Sequence, residues 1–385
     1  MKVKPGIEKI IEEKEKYLGL NFGLLTNSSG VTSKLEINLG KLLENGFKIK
    51  KLFGPEHGIW GAVADGEKVK DVIDPRFGLL VYSLYGEHLK PTQEMLEGLD
   101  GIIYDIQDVG LRYYTYIYTL GYVMEACREK GIKVIVLDRP NPLSGKVEGP
   151  VVRKGFESFV GGYGLVIRYG LTIGELARYL NEEFSMGADL EIIKMDGWRR
   201  DFYYDNTGLL WPTPSPNLPD LEHTILYTGM CLLEGVNVSV GRGTVHPFKY
   251  IGAPWINSKQ LLETLNNFNH QGIEFRERTF IPFSAKYANE LCYGLEFYIT
   301  DREKAEPLKT ALNLIHALIK LHPEDFQWDH VYHDSNGVNH FDRLIGNPDF
   351  KNLLQSGATG EELVESWRKE EKQFEELVQQ YHLYR

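Results

Sequence analysis

Gly54-Pro55-Glu56-His57-Gly58 places a carboxylic acid and an imidazole side by side in a turn tightened by proline and two glycines. The apolar run before it, residues 49–53, reads as a strand, so both side chains stand at a strand tip. A carboxyl group there serves as a general acid or base where burial raises its pKa. A glutamate that only caps a nearby helix would look the same. Asp105-Ile106-Gln107-Asp108-Val109-Gly110-Leu111-Arg112 is a second concentration. Side chains alternate along a strand, so Asp105 and Gln107 share a face. An acidic group near Glu56 suits glycoside hydrolysis, which uses two carboxylates, and suits a divalent cation equally well. Asp108 reads more simply as a salt-bridge partner of Arg112. Tyr113, Tyr114, Tyr116 and Tyr118 follow at once, and one or two of these rings are expected at a ligand, the others in a core.

Each apolar run of the first 150 residues ends in such a polar cluster. Asn21–Thr26 ends at Asn27-Ser28-Ser29-Gly30, and Lys133–Leu137 at Asp138-Arg139-Pro140-Asn141-Pro142. Arg139 suits bidentate capture of a carboxylate, or a structural pairing with Asp138 or Asp105. Helical patterns at residues 7–18, 34–45, 92–98 and Tyr116–Lys130 alternate with these runs. Alternation of this kind predicts right-handed crossovers and a mostly parallel sheet, with ligands outside the carboxyl ends of its strands.

After Gly149 the rhythm changes. Residues 173–184 read as a helix and 190–194 as a strand. Four prolines in residues 211–219 exclude regular structure. Helices are expected at 221–234, 304–321 and 361–380, and a strand at 295–299. This half reads as α+β, giving domains of residues 1–155 and 156–385. Gly241-Arg242-Gly243-Thr244 lacks the phosphate-loop patterns and serves better to aim Arg242 at an anionic group.

The 385 residues carry a net charge of −11, against a general nucleic-acid or anionic-membrane surface. Cys127, Cys231 and Cys292 are widely spaced and odd in number, and read as buried free thiols. His57, His88, His223 and His246 show no metal-binding spacing, so no metal is expected. No run approaches the length of a membrane span, and the first residues lack a signal peptide's apolar region. The expectation is a cytoplasmic protein, or a secreted or periplasmic one if a leader has been removed.

Taken together, the motifs resemble one family. They are Leu24-Leu25-Thr26-Asn27, the Glu56 turn, Val81-Tyr82-Ser83-Leu84-Tyr85-Gly86, the stretch from Asp105 to Arg112 with Tyr114-Thr115-Tyr116, and Leu137 to Pro142. Further on come Glu148-Gly149-Pro150, Thr172-Ile173-Gly174-Glu175-Leu176-Ala177, Pro214-Ser215-Pro216-Asn217, and Leu233-Glu234-Gly235-Val236-Asn237 with Gly241-Arg242-Gly243-Thr244. The set resembles the exo-β-N-acetylmuramidases of the NamZ type, and the match runs in order from residue 24 to about residue 255. The resemblance implies a Rossmann-like α/β domain, a smaller C-terminal domain and a cleft between them. It implies release of terminal N-acetylmuramic acid from the non-reducing end of peptidoglycan fragments, without a cofactor.

Glu56 lies in the motif that the resemblance makes the catalytic acid. Asp105, Glu175 and Glu234 all fall in family motifs that could supply the second carboxylate. Asp105 and Glu175 join Glu56 as catalytic candidates. Glu234 is grouped with Asn27, His57, Gln107, Arg112, Tyr114, Arg139, Asn141 and Arg242 as substrate-binding. The lactyl carboxylate of muramic acid calls for a cation, and Arg112, Arg139 and Arg242 are the candidates. Tyr114 or Tyr116 is expected to stack on the sugar. Two positions depart from the family pattern. Val240 stands where a glutamate is common, and Tyr169 where a histidine is common. They motivate a second reading, a catalytically impaired protein that binds peptidoglycan fragments or other carbohydrates.

Overall fold

The computed structural model describes residues 2–61, 71–329 and 338–385. Its first half is organised by a seven-stranded sheet. Strands β1 (Asn21–Thr26), β2 (Lys48–Gly54), β3 (Val72–Ile73), β4 (Leu80–Ser83), β5 (Gly101–Asp105) and β6 (Lys133–Leu137) come first. A two-stranded ribbon of β7 (Val147–Glu148) and β8 (Arg168–Tyr169) stands apart, and β9 (Leu190–Ile193) returns to the main sheet. The spatial order is β3-β4-β2-β1-β5-β6-β9, parallel throughout except for β3 against β4. The sheet thus continues beyond residue 155, where the sequence suggested that the first domain ends.

The interior strands are apolar on both faces, as a parallel sheet covered on both sides requires. Alternate residues sort to opposite sides. Phe22, Leu24, Ile103, Ile135 and Leu137 meet Ile7, Ile10, Leu39 and Leu42 of helices α1 (Gly6–Glu12) and α2 (Asn38–Glu44). Leu25, Ile102, Tyr104, Val134 and Val136 face helices α3 (Tyr116–Lys130) and α4 (Ile173–Glu183). Gly131, at φ 73°, ends α3 in the left-handed conformation that favours glycine. Thr172 and Glu175 form a reciprocal capping box at the start of α4.

The second half adds α5 (Leu221–Met230), β10 (Tyr250–Ala253), α6 (Ser258–Leu265), β11 (Ile273–Phe280), β12 (Cys292–Ile299) and α7 (Pro307–Leu321). Helices α8 (His340–Ile345), α9 (Asp349–Gln355) and α10 (Gly360–Val378) follow. An antiparallel sheet, β10-β12-β11, forms its floor. Leu226, Leu295, Leu312 and Trp367 of this half belong to the same continuous core as α3 and α4. The three cysteines are buried free thiols, as expected. Among the described residues no helix is long and apolar enough to cross a membrane.

Several helical expectations change. Of residues 92–98, those from 93 to 98 form successive turns. They lie between Pro91 and Gly98, the latter at φ 75°, a stretch too short to offset the cost of helix nucleation. The helix expected over 34–45 begins only at Asn38, because Leu35 is left-handed and Val31 bridges Ile37. The predicted helix over 221–234 is α5 followed by a tighter 3-10 turn, Cys231–Gly235.

Arg112 fastens the halves together. Its Nη1 donates to the carbonyls of Pro150 (2.5 Å) and Leu165 (2.9 Å), and its Nη2 to that of Leu344 in α8 (2.8 Å). Burial lowers its pKa to about 10, so it remains charged at neutral pH. Arg112→Met strands three buried carbonyls. Chemical denaturation should show a loss of about 3 kcal/mol or more, since each unpaired buried group costs ~1–3 kcal/mol.

Candidate active site

A cavity of about 260 Å³ lies between the two halves. The first half contributes Glu56 and His57 from the tip of β2, Tyr85, and Tyr113, Tyr114 and Thr115 from the approach to α3. The proline-rich loop contributes Ser215, Asn217 and Leu218. Tyr227 of α5, Glu234 of the 3-10 turn, Arg242, Phe248 and His340 complete the opposite wall.

The Glu56 turn is constrained. Gly58 N donates to Pro55 O at 2.9 Å, while His57 and Gly58 both take positive φ, 68° and 71°. A left-handed histidine is a strained residue, of the kind concentrated at functional sites. Glu56 is 8% exposed, and its Oε2 accepts from Thr115 Oγ1 at 2.7 Å. Tyr116 lies behind the turn and donates to Pro214 O at 3.1 Å. His57 Nε2 lies 3.4 Å from Ser215 Oγ. The turn, α3 and the proline-rich loop thereby hold one another in place.

Across the cavity, Glu234 Oε1 accepts from Arg242 Nε at 2.6 Å. Burial alone would push the Glu234 carboxyl up. The Arg242 guanidinium, with His340 and Lys286, more than reverses this and holds it below the usual glutamate value. Arg242 also lies over the Phe248 ring, 5.1 Å from its centroid. The cavity therefore brings together two carboxylates, Glu56 from one half and a firmly ionised Glu234 from the other.

Five of the residues singled out in the sequence line this cavity: Glu56, His57, Tyr114, Glu234 and Arg242. The others are engaged elsewhere. Asp105 is fully buried, its two oxygens accepting from Arg139 Nε (2.6 Å) and Nη2 (2.9 Å), with Asn38 Nδ2 at 2.8 Å. This is the structural pairing weighed for Arg139, and it removes both side chains from the cavity lining. Glu175 caps α4, pairs with Arg200 at 2.8 Å and accepts from Leu383 N at 2.7 Å. Asn27 closes its own turn by accepting from Ser29 N at 2.9 Å. Gln107 donates to the carbonyls of Asp108 and Pro140, and Asn141 to that of Leu171. Arg112 is spent on the carbonyls described above.

Asp108 does not pair with Arg112. It accepts from Gly110 N at 2.6 Å and from the Tyr169 hydroxyl, and burial raises its pKa to about 6. Of the four tyrosines, Tyr113 and Tyr114 line the cavity. Val240 packs in the core and Tyr169 is fully buried against Asp108, so neither departure from the family pattern sits in the cavity lining. Thr115, Ser215 and His340 were missed. Thr115 and Ser215 lay inside recognised motifs, whereas His340 carried no local signal.

Asp105→Ala leaves the Arg139 guanidinium buried without its carboxylate. Thermal and urea denaturation should show a loss of ~3–5 kcal/mol, the range for breaking a buried pair from one side.

Comparison with known proteins agrees with this architecture. The chain matches the N-terminal domain of the exo-β-N-acetylmuramidase NamZ family over residues 22–222 and its C-terminal domain over residues 225–384. It is 44% identical to the peptidoglycan β-N-acetylmuramidase NamZ of Bacillus subtilis (strain 168), across 100% of this chain and 92% of that protein. Two crystal structures of DUF1343 family proteins from Bacteroides fragilis NCTC 9343 share the fold. One is 35% identical with a TM-score of 0.91, the other 28% identical with a TM-score of 0.78, each match covering 100% of this chain and 99% of the other.

Proposed function

Because the chain belongs to the NamZ family of exo-β-N-acetylmuramidases, we propose that its glycosidase chemistry runs between Glu56 and Glu234. The enzyme releases terminal N-acetylmuramic acid from peptidoglycan fragments. The observation that carries the assignment is the cavity itself, whose lining includes both carboxylates.

Glycoside hydrolysis asks two carboxyl groups to play different parts. Glu234, held ionised by Arg242, suits the anionic part, facing the oxocarbenium-like centre or activating water. Glu56, aligned by the Thr115 hydroxyl, suits the acid that protonates the leaving glycosidic oxygen. Tyr113 and Tyr114 line the cavity and suit contact with the sugar. Of the three arginines considered for the lactyl carboxylate, Arg242 alone lines the cavity, and we assign that contact to it. Asp105 and Glu175 then act as structural carboxylates, each held by an arginine.

The two roles separate by leaving group. Glu56→Gln should lower kcat/KM by ~10²–10⁴ on N-acetylmuramyl-N-acetylglucosamine, where the departing sugar needs a proton. Its effect on an aryl muramide with an acidic leaving group should be far smaller. Glu234→Gln should depress both substrates alike. Equal rates for wild type and Glu56→Gln on the disaccharide would remove Glu56 from the chemistry.

Arg242 also sets the acidic limb of the pH profile. Glu234 must be ionised to act, and its guanidinium partner keeps it so below the usual glutamate range. In Arg242→Gln, burial acts unopposed by that partner. The acidic limb of kcat/KM should then move to higher pH by about one unit or more, as expected when an adjacent opposite charge is removed. A limb that stays in place would show that Glu234 is not the group titrating.

A further inference from the structure

The connection between β11 and β12, residues 281–291, is fastened to Glu234 of the cavity's ion pair and to the residue that follows Arg242. Lys286 Nζ donates to Glu234 O at 2.9 Å and Val236 O at 2.6 Å, and pairs with buried Asp329 at 2.5 Å. Phe283 N donates to the carbonyl of Gly243, the residue after Arg242, at 2.9 Å. Gly243, at φ 76°, approaches so closely that a Cβ there would fall 2.6 Å from Ser284 N. The Tyr287 hydroxyl donates to Asn237 O at 2.9 Å and accepts from Trp255 Nε1 at 3.1 Å. Ala285, Tyr287 and Asn289 all take positive φ (64°, 60° and 66°) although none is glycine. Such strain persists only where the surroundings over-determine it, and it concentrates at functional sites.

This rigid loop carries an apolar edge into solvent. Ile281 is 58% exposed and Phe283 75%, and on the adjoining loop Val245 is 77% exposed. Isolated exposed apolar residues are ordinary, but a cluster beside a cavity marks a binding surface. We propose that this edge, centred on Phe283, is the platform for the aglycone, the neutral sugar on the leaving side of the scissile bond. The proposal rests on the muramidase reading above.

Three observations favour a sugar as the occupant. The edge is joined to the cavity wall through the backbone, where Phe283 N donates to the carbonyl of Gly243, the residue that follows the cavity-lining Arg242. A cavity of about 260 Å³ holds the terminal residue of a chain, so the remainder must leave across an adjoining surface. Ile281, Phe283, Ser284, Ala285 and Val245 carry no charge, matching the neutral N-acetylglucosamine that follows the anionic muramic acid. A pyranose ring presents an apolar C–H face, which packs on an aromatic ring while its hydroxyls stay in water.

The full chain and its Phe283→Ser and Phe283→Trp variants test this on two substrates. One is N-acetylmuramyl-N-acetylglucosamine. The other is N-acetylmuramyl β-fluoride, which places nothing on the platform. Phe283→Ser should raise KM for the disaccharide about three- to tenfold, the span that one aromatic contact supports, with kcat within about twofold. Hydrolysis of the fluoride should not change, and Phe283→Trp should restore the disaccharide KM. An unchanged disaccharide KM overturns the platform, and so does an equal loss on both substrates. Sedimentation equilibrium gives a third check: a wild-type dimer that Phe283→Ser converts to monomer with unaltered kinetics would assign the edge to a second copy of the chain and overturn it too. Wild type that leaves the disaccharide uncut would overturn the muramidase reading, and the platform with it.

Discussion

The rest of the molecule depends on one shared surface. The sheet face that packs α3 and α4 is continuous with the core of the second half, so the two halves share a single dry interior. Protein interiors are close-packed and resist small displacements. Glu56, on a turn at the end of β2, and Glu234, nearly 180 residues later, therefore stand across the cavity with their separation set by packing. Arg112 reinforces this by tying the carbonyls of Pro150, Leu165 and Leu344 to one side chain.

The same constraint sets the proposed site apart from the position that the sheet topology favours. The chain runs outward from β1 through β2 to β4, then returns to β5, so the crevice between β1 and β5 is the topological switch point. Folds of this type bind ligands there. In this protein the crevice is occupied by its own ion pair, Asp105 with Arg139, together with Asn38 and Thr26. Next to it, Asp138, pushed up to about 7 by burial, accepts from Thr172 Oγ1, Gly174 N and Tyr384. With the switch point filled by internal electrostatics, the available carboxylate is the one a strand further out, at the tip of β2.

Much of the scaffold was legible in the sequence, because strand burial is a local signal. Asn21–Thr26, Lys133–Leu137 and Tyr116–Lys130 have the bounds that their apolar patterns and the stop at Gly131 suggest. β11 was also readable in principle: Ile273, Phe275, Glu277 and Thr279 alternate with Glu274, Arg276 and Arg278, but the charges masked the strand. The cavity was legible only in part. An acid at a strand tip looks the same whether it faces a cavity, as Glu56 does, or a buried arginine, as Asp105 does. The partner decides, and Arg139 lies 34 residues away in sequence. Glu175 is ambiguous for a related reason, since a capping-box glutamate and a catalytic one share a residue type and a loop-to-helix position.

Electrostatics draws the final distinction among these carboxylates. Asp105, Glu175 and Glu234 each have an arginine partner, so pairing alone does not separate a structural acid from a functional one. Their surroundings do. The Asp105 and Glu175 side chains are fully buried and linked to fixed parts of the fold, namely Asn38 for one and the α4 terminus and Leu383 N for the other. Glu234 and Arg242 are the pair that borders open volume. An ion pair facing a cavity can exchange its partner for a ligand's charge at far lower cost than one enclosed in the core, where desolvation penalises any rearrangement. Under the proposed assignment, Arg242 serves both an anionic sugar and the carboxylate it keeps ionised, so binding the substrate's carboxylate and setting the charge state of Glu234 are physically coupled.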